Sequence, residues 1–179
     1  EIRTVTSAIR SFGLSPAGVR AVFGARGEVF TLPVEHGSSR NLTDTPGVHE
    51  LSPAWSPDGK WVAYLSDRSG EYEIYLRPQR GGDEVRVTSG GDCYRYGPLW
   101  SPDSSKLVYW DKKLRWWYVD IQQKQPVLID TSEYRLGYSP DWSPDSRWLA
   151  YSKAGANQAH SLYLYSLEQK KVFPVTDGF

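Results

Sequence analysis

Apolar residues recur along this chain in short runs that keep one internal order. An aliphatic position (Ala21, Val62, Leu107, Leu149) is followed by a small or medium apolar one (Val22, Ala63, Val108, Ala150), and then by a ring (Phe23, Tyr64, Tyr109, Tyr151). Neighbouring strand residues point to opposite faces. Each run therefore predicts a strand with an aliphatic residue and a ring on one face and a small apolar residue on the other. A sheet that is apolar on both faces must be covered on both. The large-against-small arrangement lets successive sheets interdigitate.

Each run is preceded by a turn. Ser56-Pro57-Asp58-Gly59 suits a type I turn, with Ser first, Pro at its preset φ, Asp third and Gly last. Copies begin at Ser101 and Ser143 with Ser104 and Ser146 in the glycine slot, and a weaker copy, Ser15-Pro16-Ala17-Gly18, lacks the Asp and follows Leu14 instead of Trp. Blade 1 is therefore expected to be the least regular, as terminal repeats often are. The serines set a period of 41 to 45 residues. Three further strands are predicted per repeat: a short one ending at the Trp before the turn (Leu51–Trp55, Tyr96–Trp100), an aromatic-rich third (Val29–Leu32, Glu73–Arg77, Trp116–Asp120, Leu162–Ser166), and a fourth ending at Thr43, Thr88, Asp130 or Thr176. From that terminus to the next Trp is always 12 residues (Thr43 to Trp55, Thr88 to Trp100, Asp130 to Trp142), whereas the span from turn to terminus varies. A link of fixed length between elements of variable length is what radial packing demands.

These features predict an all-β fold, a β-propeller of four-stranded antiparallel blades. Residues 1–179 read as one propeller segment, with blade 1 at about 5–43, blade 2 at about 49–88, blade 3 at about 94–130 and blade 4 at about 136–176. Four blades in an open arc would leave the apolar outer faces of blades 1 and 4 in water. The expectation is thus a piece of a longer polypeptide, part of a six- or seven-bladed ring, with its open ends capped by the remainder of that polypeptide or by another copy. The chain starts at Glu1 and has no Met, so the lack of a signal peptide is uninformative.

Charge narrows the partners. Twenty-one basic and 21 acidic residues cancel and form no long run, which offers no footprint for nucleic acid or an anionic membrane. No apolar stretch is long enough to span a bilayer. The lone Cys93 excludes an internal disulfide and leaves the compartment open between prokaryotic cytoplasm and periplasm.

No catalytic chemistry is legible. Gly13-Leu14-Ser15-Pro16-Ala17-Gly18 has its second glycine one place too far for a nucleophile elbow. His36, His49 and His160 lack metal-ligand spacing, and Asp67-Arg68-Ser69-Gly70-Glu71 lacks the alternating carboxylates of a calcium loop. The expectation is no catalytic residue, no cofactor and no metal. A binding surface is expected where the crossovers Asp44–Glu50, Ser89–Arg95 and Thr131–Arg135 approach the central channel. There His49, Tyr94, Arg95, Tyr134 and Arg135 offer aromatic and cationic groups suited to peptide backbone and carboxylate.

The Trp-Ser-Pro-Asp-Gly turn followed by Trp61-Val62-Ala63-Tyr64-Leu65-Ser66-Asp67-Arg68-Ser69-Gly70-Glu71-Tyr72-Glu73-Ile74-Tyr75 resembles the TolB-like propeller repeat. The stretches Leu14–Phe30, Arg40–Val48 and Tyr163–Leu167 together resemble bacterial tricorn-like peptidases. This resemblance implies a non-catalytic propeller of a serine peptidase that trims oligopeptides, acting as scaffold or substrate-access gate, with catalytic and PDZ domains elsewhere in the polypeptide. The other reading is a TolB-like propeller of the bacterial envelope that docks a protein partner.

Overall fold

A computed structural model of the chain describes residues 8–137 and 140–176. They form four antiparallel sheets in chain order. The first is β1 (Ile9–Leu14), β2 (Arg20–Ala25), β3 (Glu28–Pro33) and β4 (Arg40–Asn41); the second is β5 (Glu50–Trp55), β6 (Trp61–Ser66), β7 (Glu73–Pro78) and β8 (Val85–Arg86). The third is β9 (Arg95–Trp100), β10 (Lys106–Asp111), β11 (Arg115–Asp120) and β12 (Pro126–Thr131). In the fourth, two short strands, β13 (Arg135–Leu136) and β14 (Asp141–Trp142), share the edge of β15 (Trp148–Ala154), followed by β16 (His160–Ser166) and β17 (Lys171–Pro174). The leading strands β1, β5 and β9 pack side by side at the inner ends of consecutive sheets. The chain is an all-β propeller arc.

The recurring serine explains each turn. Ser56 O accepts the Gly59 N–H at 2.8 Å, Ser56 N–H donates to Trp61 O, and Ser56 Oγ accepts the Trp61 N–H at 2.9 Å while donating to Asp58 Oδ1 at 2.6 Å. The copies at Ser101 and Ser143 repeat this set. At Ser15 the backbone bonds and the N–H of Arg20 on Ser15 Oγ persist without the aspartate. Burial works to raise the pKa of Asp58 and Asp103, but hydrogen bonds from Ser56 and Ser101, and from the backbone two residues on, outweigh it and hold both below 3.8. Asp145 is held down to about 2 by Ser143 and Arg147. All three stay ionised acceptors.

The slot after the aspartate takes a left-handed backbone, with φ 71° at Gly59 and 60° at both Ser104 and Ser146. Glycine adopts this freely, serine at a cost. The cost has a return: Ser104 Oγ accepts the N–H of Asp58 at 3.0 Å, and Ser146 Oγ that of Asp103 at 3.0 Å, so each hydroxyl ties its blade to the one before. Ser104→Ala keeps the strain and loses the bond, and is expected to cost about 1 kcal/mol. Ser104→Gly loses the bond but relaxes the backbone by about the same amount, and should be close to neutral. Urea midpoints of the two variants check this; a glycine variant less stable than the alanine one would contradict it.

Three apolar seams follow the column rule. Val22, Val29 and Leu42 of blade 1 meet Trp55, Val62, Tyr64 and Tyr75 of blade 2. Ala63, Leu65, Ile74, Leu76 and Val87 of blade 2 meet Trp100, Leu107, Tyr109 and Val119 of blade 3. Val108, Trp116, Tyr118 and Ile129 of blade 3 meet Trp142, Leu149, Tyr151 and Tyr165 of blade 4. The aliphatic-plus-ring face thus always looks back to the preceding blade and the small face looks forward. Each ring is doubled by one from the third strand: Phe23 on Phe30, Tyr64 on Tyr75, Tyr109 on Trp117 and Tyr151 on Tyr163 are all stacked, with centroids 5.5 to 6.4 Å apart. Trp100 adds a hydrogen bond from Nε1 to Ala54 O at 3.1 Å across the seam.

Two details differ from the expectation. The fourth strands of blades 1, 2 and 4 stop two residues before Thr43, Thr88 and Thr176. The threonine hydroxyls continue the ladder instead, accepting the N–H of Val29, Ile74 and Leu162 at 3.1, 2.9 and 2.9 Å. And among the described residues the sheet whose inner edge is made of two separate strands is blade 4, not blade 1. Gly137, at the end of β13, lies so close to Ser152 that a Cβ would meet its Oγ at 1.9 Å and its carbonyl oxygen at 2.7 Å, so no larger residue fits there without displacement. Inner strands also share a proline, Pro53 and Pro98, at a shift of register against the second strand. Having no N–H, these prolines present no unpaired donor at their own positions on the free edge of the inner strand.

Candidate inner-rim binding site

Where the crossovers reach the inner strands, aromatic side chains form a continuous file. His49 precedes β5, and its N–H donates to Asp67 Oδ1 at 2.8 Å. Its Nδ1 lies 2.5 Å from the Tyr72 hydroxyl, and the rings meet edge to face. Tyr72 then meets Tyr94 at 4.8 Å, Tyr94 meets Tyr96 at 4.9 Å, and Tyr96 stacks on Trp110 at 6.1 Å. Desolvation raises the Tyr72 and Tyr94 phenols above 10.0, helped by Asp67 and Tyr94 for the former and by Tyr96 for the latter, so both stay neutral hydroxyl donors.

Two adjoining clefts run along this file, of ≈ 250 and ≈ 350 Å³, sharing Ser11, Leu51, Ser52 and Tyr94. The first is rimmed by Arg10 and Arg26 beside His49; the second runs past Pro53 and Pro98 to Tyr96 and Trp110. Rings, neutral donors, two rim arginines and the inner-strand backbone suit an extended chain with apolar side chains and a negative end.

The five residues singled out in the sequence do not gather in one place. His49 and Tyr94 join through Tyr72, which the sequence reading passed over. Arg95 lines the second cleft beside Tyr94, but its guanidinium is turned inward: the residue is 7% exposed, pairs with Glu73 and donates to Thr88 Oγ1 at 2.6 Å, and the guanidinium lies over the Tyr109 ring. Tyr134 lines a separate cleft of ≈ 230 Å³ with Thr131, Lys153 and Tyr163. Arg135, exposed, reaches His160 Nε2 at 3.2 Å. Tyr96 and Trp110 were also missed. Period-two alternation could have found Tyr96: in Tyr94-Arg95-Tyr96 the tyrosines must share a face and the arginine the other.

Comparison with known proteins follows this geometry. Residues 9–179 match the family described as the tricorn protease second beta propeller domain. The crystal structure of the tricorn protease superposes with a TM-score of 0.85 at 16% identity, over 97% of this chain and 17% of that one. The putative TolB from Agrobacterium tumefaciens gives 0.73 at 24% identity, over 94% of this chain and 62% of that one. Among curated relatives, dipeptidyl-peptidase 5 of Porphyromonas gingivalis is 30% identical over 84 residues, 41% of this chain. The chain spans 12% of that relative and less than two thirds of either solved structure. By the match over residues 9–179, the chain belongs to the tricorn protease second β-propeller family.

Proposed function

We propose that this chain is the non-catalytic propeller portion of a tricorn-like, oligopeptide-trimming serine peptidase, serving as scaffold and as a gate on substrate access. The reading is supported above all by the aromatic file of Tyr72, Tyr94, Tyr96 and Trp110 beside the inner-strand clefts, in a chain of the tricorn second-propeller family. Peptides entering along the channel would meet His49, Tyr94 and Tyr96 at this rim, and Tyr134 and Arg135 at that of blade 4. Arg95 acts beneath the file as a positioning residue, since its guanidinium is engaged inward.

Fluorescence anisotropy with labelled oligopeptides tests this on the chain as it stands. Binding without hydrolysis is expected, weakened several-fold by Tyr96→Ala, which removes a half-exposed ring. Robust hydrolysis, or binding unchanged in Tyr96→Ala and Tyr94→Ala, would overturn it. The alternative, a TolB-like envelope propeller docking a protein partner, shares its fold with the Agrobacterium structure. The parent polypeptide separates the two: a PDZ and a serine-peptidase domain downstream support the first, a signal peptide and a small α/β domain upstream the second.

A further inference from the structure

The seam between blades 1 and 2 lacks a side chain that the next two seams have. One place after the rings Phe23, Tyr64 and Tyr109, Gly24 stands where blade 2 carries Leu65 and blade 3 carries Trp110. Leu65 is buried against blade 3, and Trp110 packs on the seam with blade 4. A Cβ on Gly24 would lie 2.9 Å from Ser11 Oγ and 3.4 Å from Pro53 Cδ of blade 2. Gly24 and Ser11 both line the first cleft, so the missing side chain helps to keep it open.

The charge within this seam is reversed as well. Arg95, five residues before Trp100, pairs with Glu73 of the preceding blade, whereas the place five residues before Trp55 holds Glu50. Glu28, in the column of Glu73, is taken up by Asn41 instead. Glu50 is 2% exposed and lines the first cleft. Its Oε1 accepts the Thr45 hydroxyl and the Arg68 guanidinium, both at 2.6 Å. Its Oε2 is buried and has no hydrogen-bond partner among the described residues. A buried carboxylate oxygen without a donor is costly, which marks this atom as a place for a donor from outside the chain.

The shape of the groove selects the donor. The Glu50 N–H bonds to Gly27 O at 2.7 Å, and a Cβ on Gly27 would lie 3.0 Å from His49 Cδ2, so the β2–β3 turn closes this end against the crossover. In the other direction the cleft passes Tyr94 into the second one, towards Tyr96 and Trp110. A groove shut at one end receives the end of a chain rather than its middle. A carboxyl terminus would set a second anion against Glu50, whereas an amino terminus brings an ammonium group.

We infer that this cleft anchors the free amino terminus of an oligopeptide, its ammonium donating to Glu50 Oε2 and its next residues lying along Tyr94 towards Tyr96 and Trp110. This rests on the peptide-binding reading above and adds to it a direction and an end-group requirement. Arg10 and Arg26 on the rim then face an acidic side chain or the far carboxylate of a short peptide.

Anisotropy on the unaltered chain compares one apolar oligopeptide, labelled at its carboxyl end, with its amino terminus free and acetylated. The free form should bind about tenfold or more tightly, as befits a hydrogen bond to a charged group. In Glu50→Gln, which keeps an oxygen for Thr45 and Arg68, the two forms should bind alike. Near-UV circular dichroism verifies the fold of that variant; should it not fold, the comparison on the unaltered chain still decides. Acetylated peptide bound as tightly as free, and still released by Tyr96→Ala, would overturn the inference and leave the peptide-binding reading standing. No binding of either form would overturn both. An acetylated peptide with an internal lysine that matches the free one would shift the ammonium to a side chain and overturn the amino-terminal assignment. A preference for the free form that survives Glu50→Gln would overturn the role of Glu50.

Discussion

Arg95→Ala is expected to destabilise the fold by about 3 kcal/mol, the lower end of what breaking a buried ion pair costs. Glu73 is 2% exposed and its carboxylate is fully engaged: it pairs with Arg95, accepts the Thr88 hydroxyl at 2.5 Å and the Gly91 N–H at 2.7 Å, and has Arg86 at 3.5 Å. Without Arg95 the charge stays buried and Tyr109 loses the cation over its ring. Thr88, Gly91 and Arg86 remain, which places the loss at the low end. Removing the charge as well, in Glu73→Gln with Arg95→Ala, should recover a large part of it, because the penalty lies in the orphaned carboxylate. Urea unfolding of the three variants decides the matter; a single-variant loss below about 1 kcal/mol would mean that the pair contributes little. Weaker peptide capture by Arg95→Ala would therefore report a loosened blade 2–blade 3 seam rather than a lost contact with peptide.

Trp116→Ala should be at least as damaging, about 3–5 kcal/mol. Trp116 is 1% exposed on β11, faces blade 4, and meets the rings of Trp110 at 5.2 Å and Tyr151 at 5.9 Å. Truncation opens a cavity among strands that cannot collapse, because β11 is paired along its length with β10 on one side and β12 on the other. Trp116→Phe should cost far less. It keeps a ring in the seam and removes an indole Nε1–H that is buried without a hydrogen-bond partner. In a stack where each repeat contacts only its neighbours, the damage should be local. Hydrogen exchange of Trp116→Ala is expected to show blade 4 amides deprotected well before those of blades 1 and 2. Uniform loss across all blades would mean that the arc unfolds as one unit.

Much of this architecture was legible in the residues because a repeat states its own alignment. The columns of Val62, Ala63 and Tyr64 and their copies told which side chains share a face, and the seams follow that division. The binding rim was legible only in part. His49 and Tyr94 could be named from their crossovers, but Tyr72 stands just before β7, and Tyr96 and Trp110 sit on β9 and β10, where aromatic residues read as ordinary core. Whether such a ring is covered depends on where a neighbouring blade ends, which no local pattern records. The pairing of Tyr94 with Arg95 as one site failed on strand alternation, a rule available beforehand. The burial of Arg95 itself required Glu73, 22 residues away on the preceding blade.

The amino-acid pattern by itself determined the repeat, the strand order within a blade, the turn chemistry of the Ser-Pro-Asp motif and the two-faced apolar character of each sheet. These are local, set by φ preference, hydrogen bonds within a few residues and side-chain alternation. The tertiary structure alone decided which face looks forward, that Ser104 and Ser146 reach across a seam, that Thr43, Thr88 and Thr176 extend the ladder through their side chains, and that the sheet in two pieces is blade 4. Each of these depends on groups between 14 and 46 residues apart in the chain, brought together when the sheets stack.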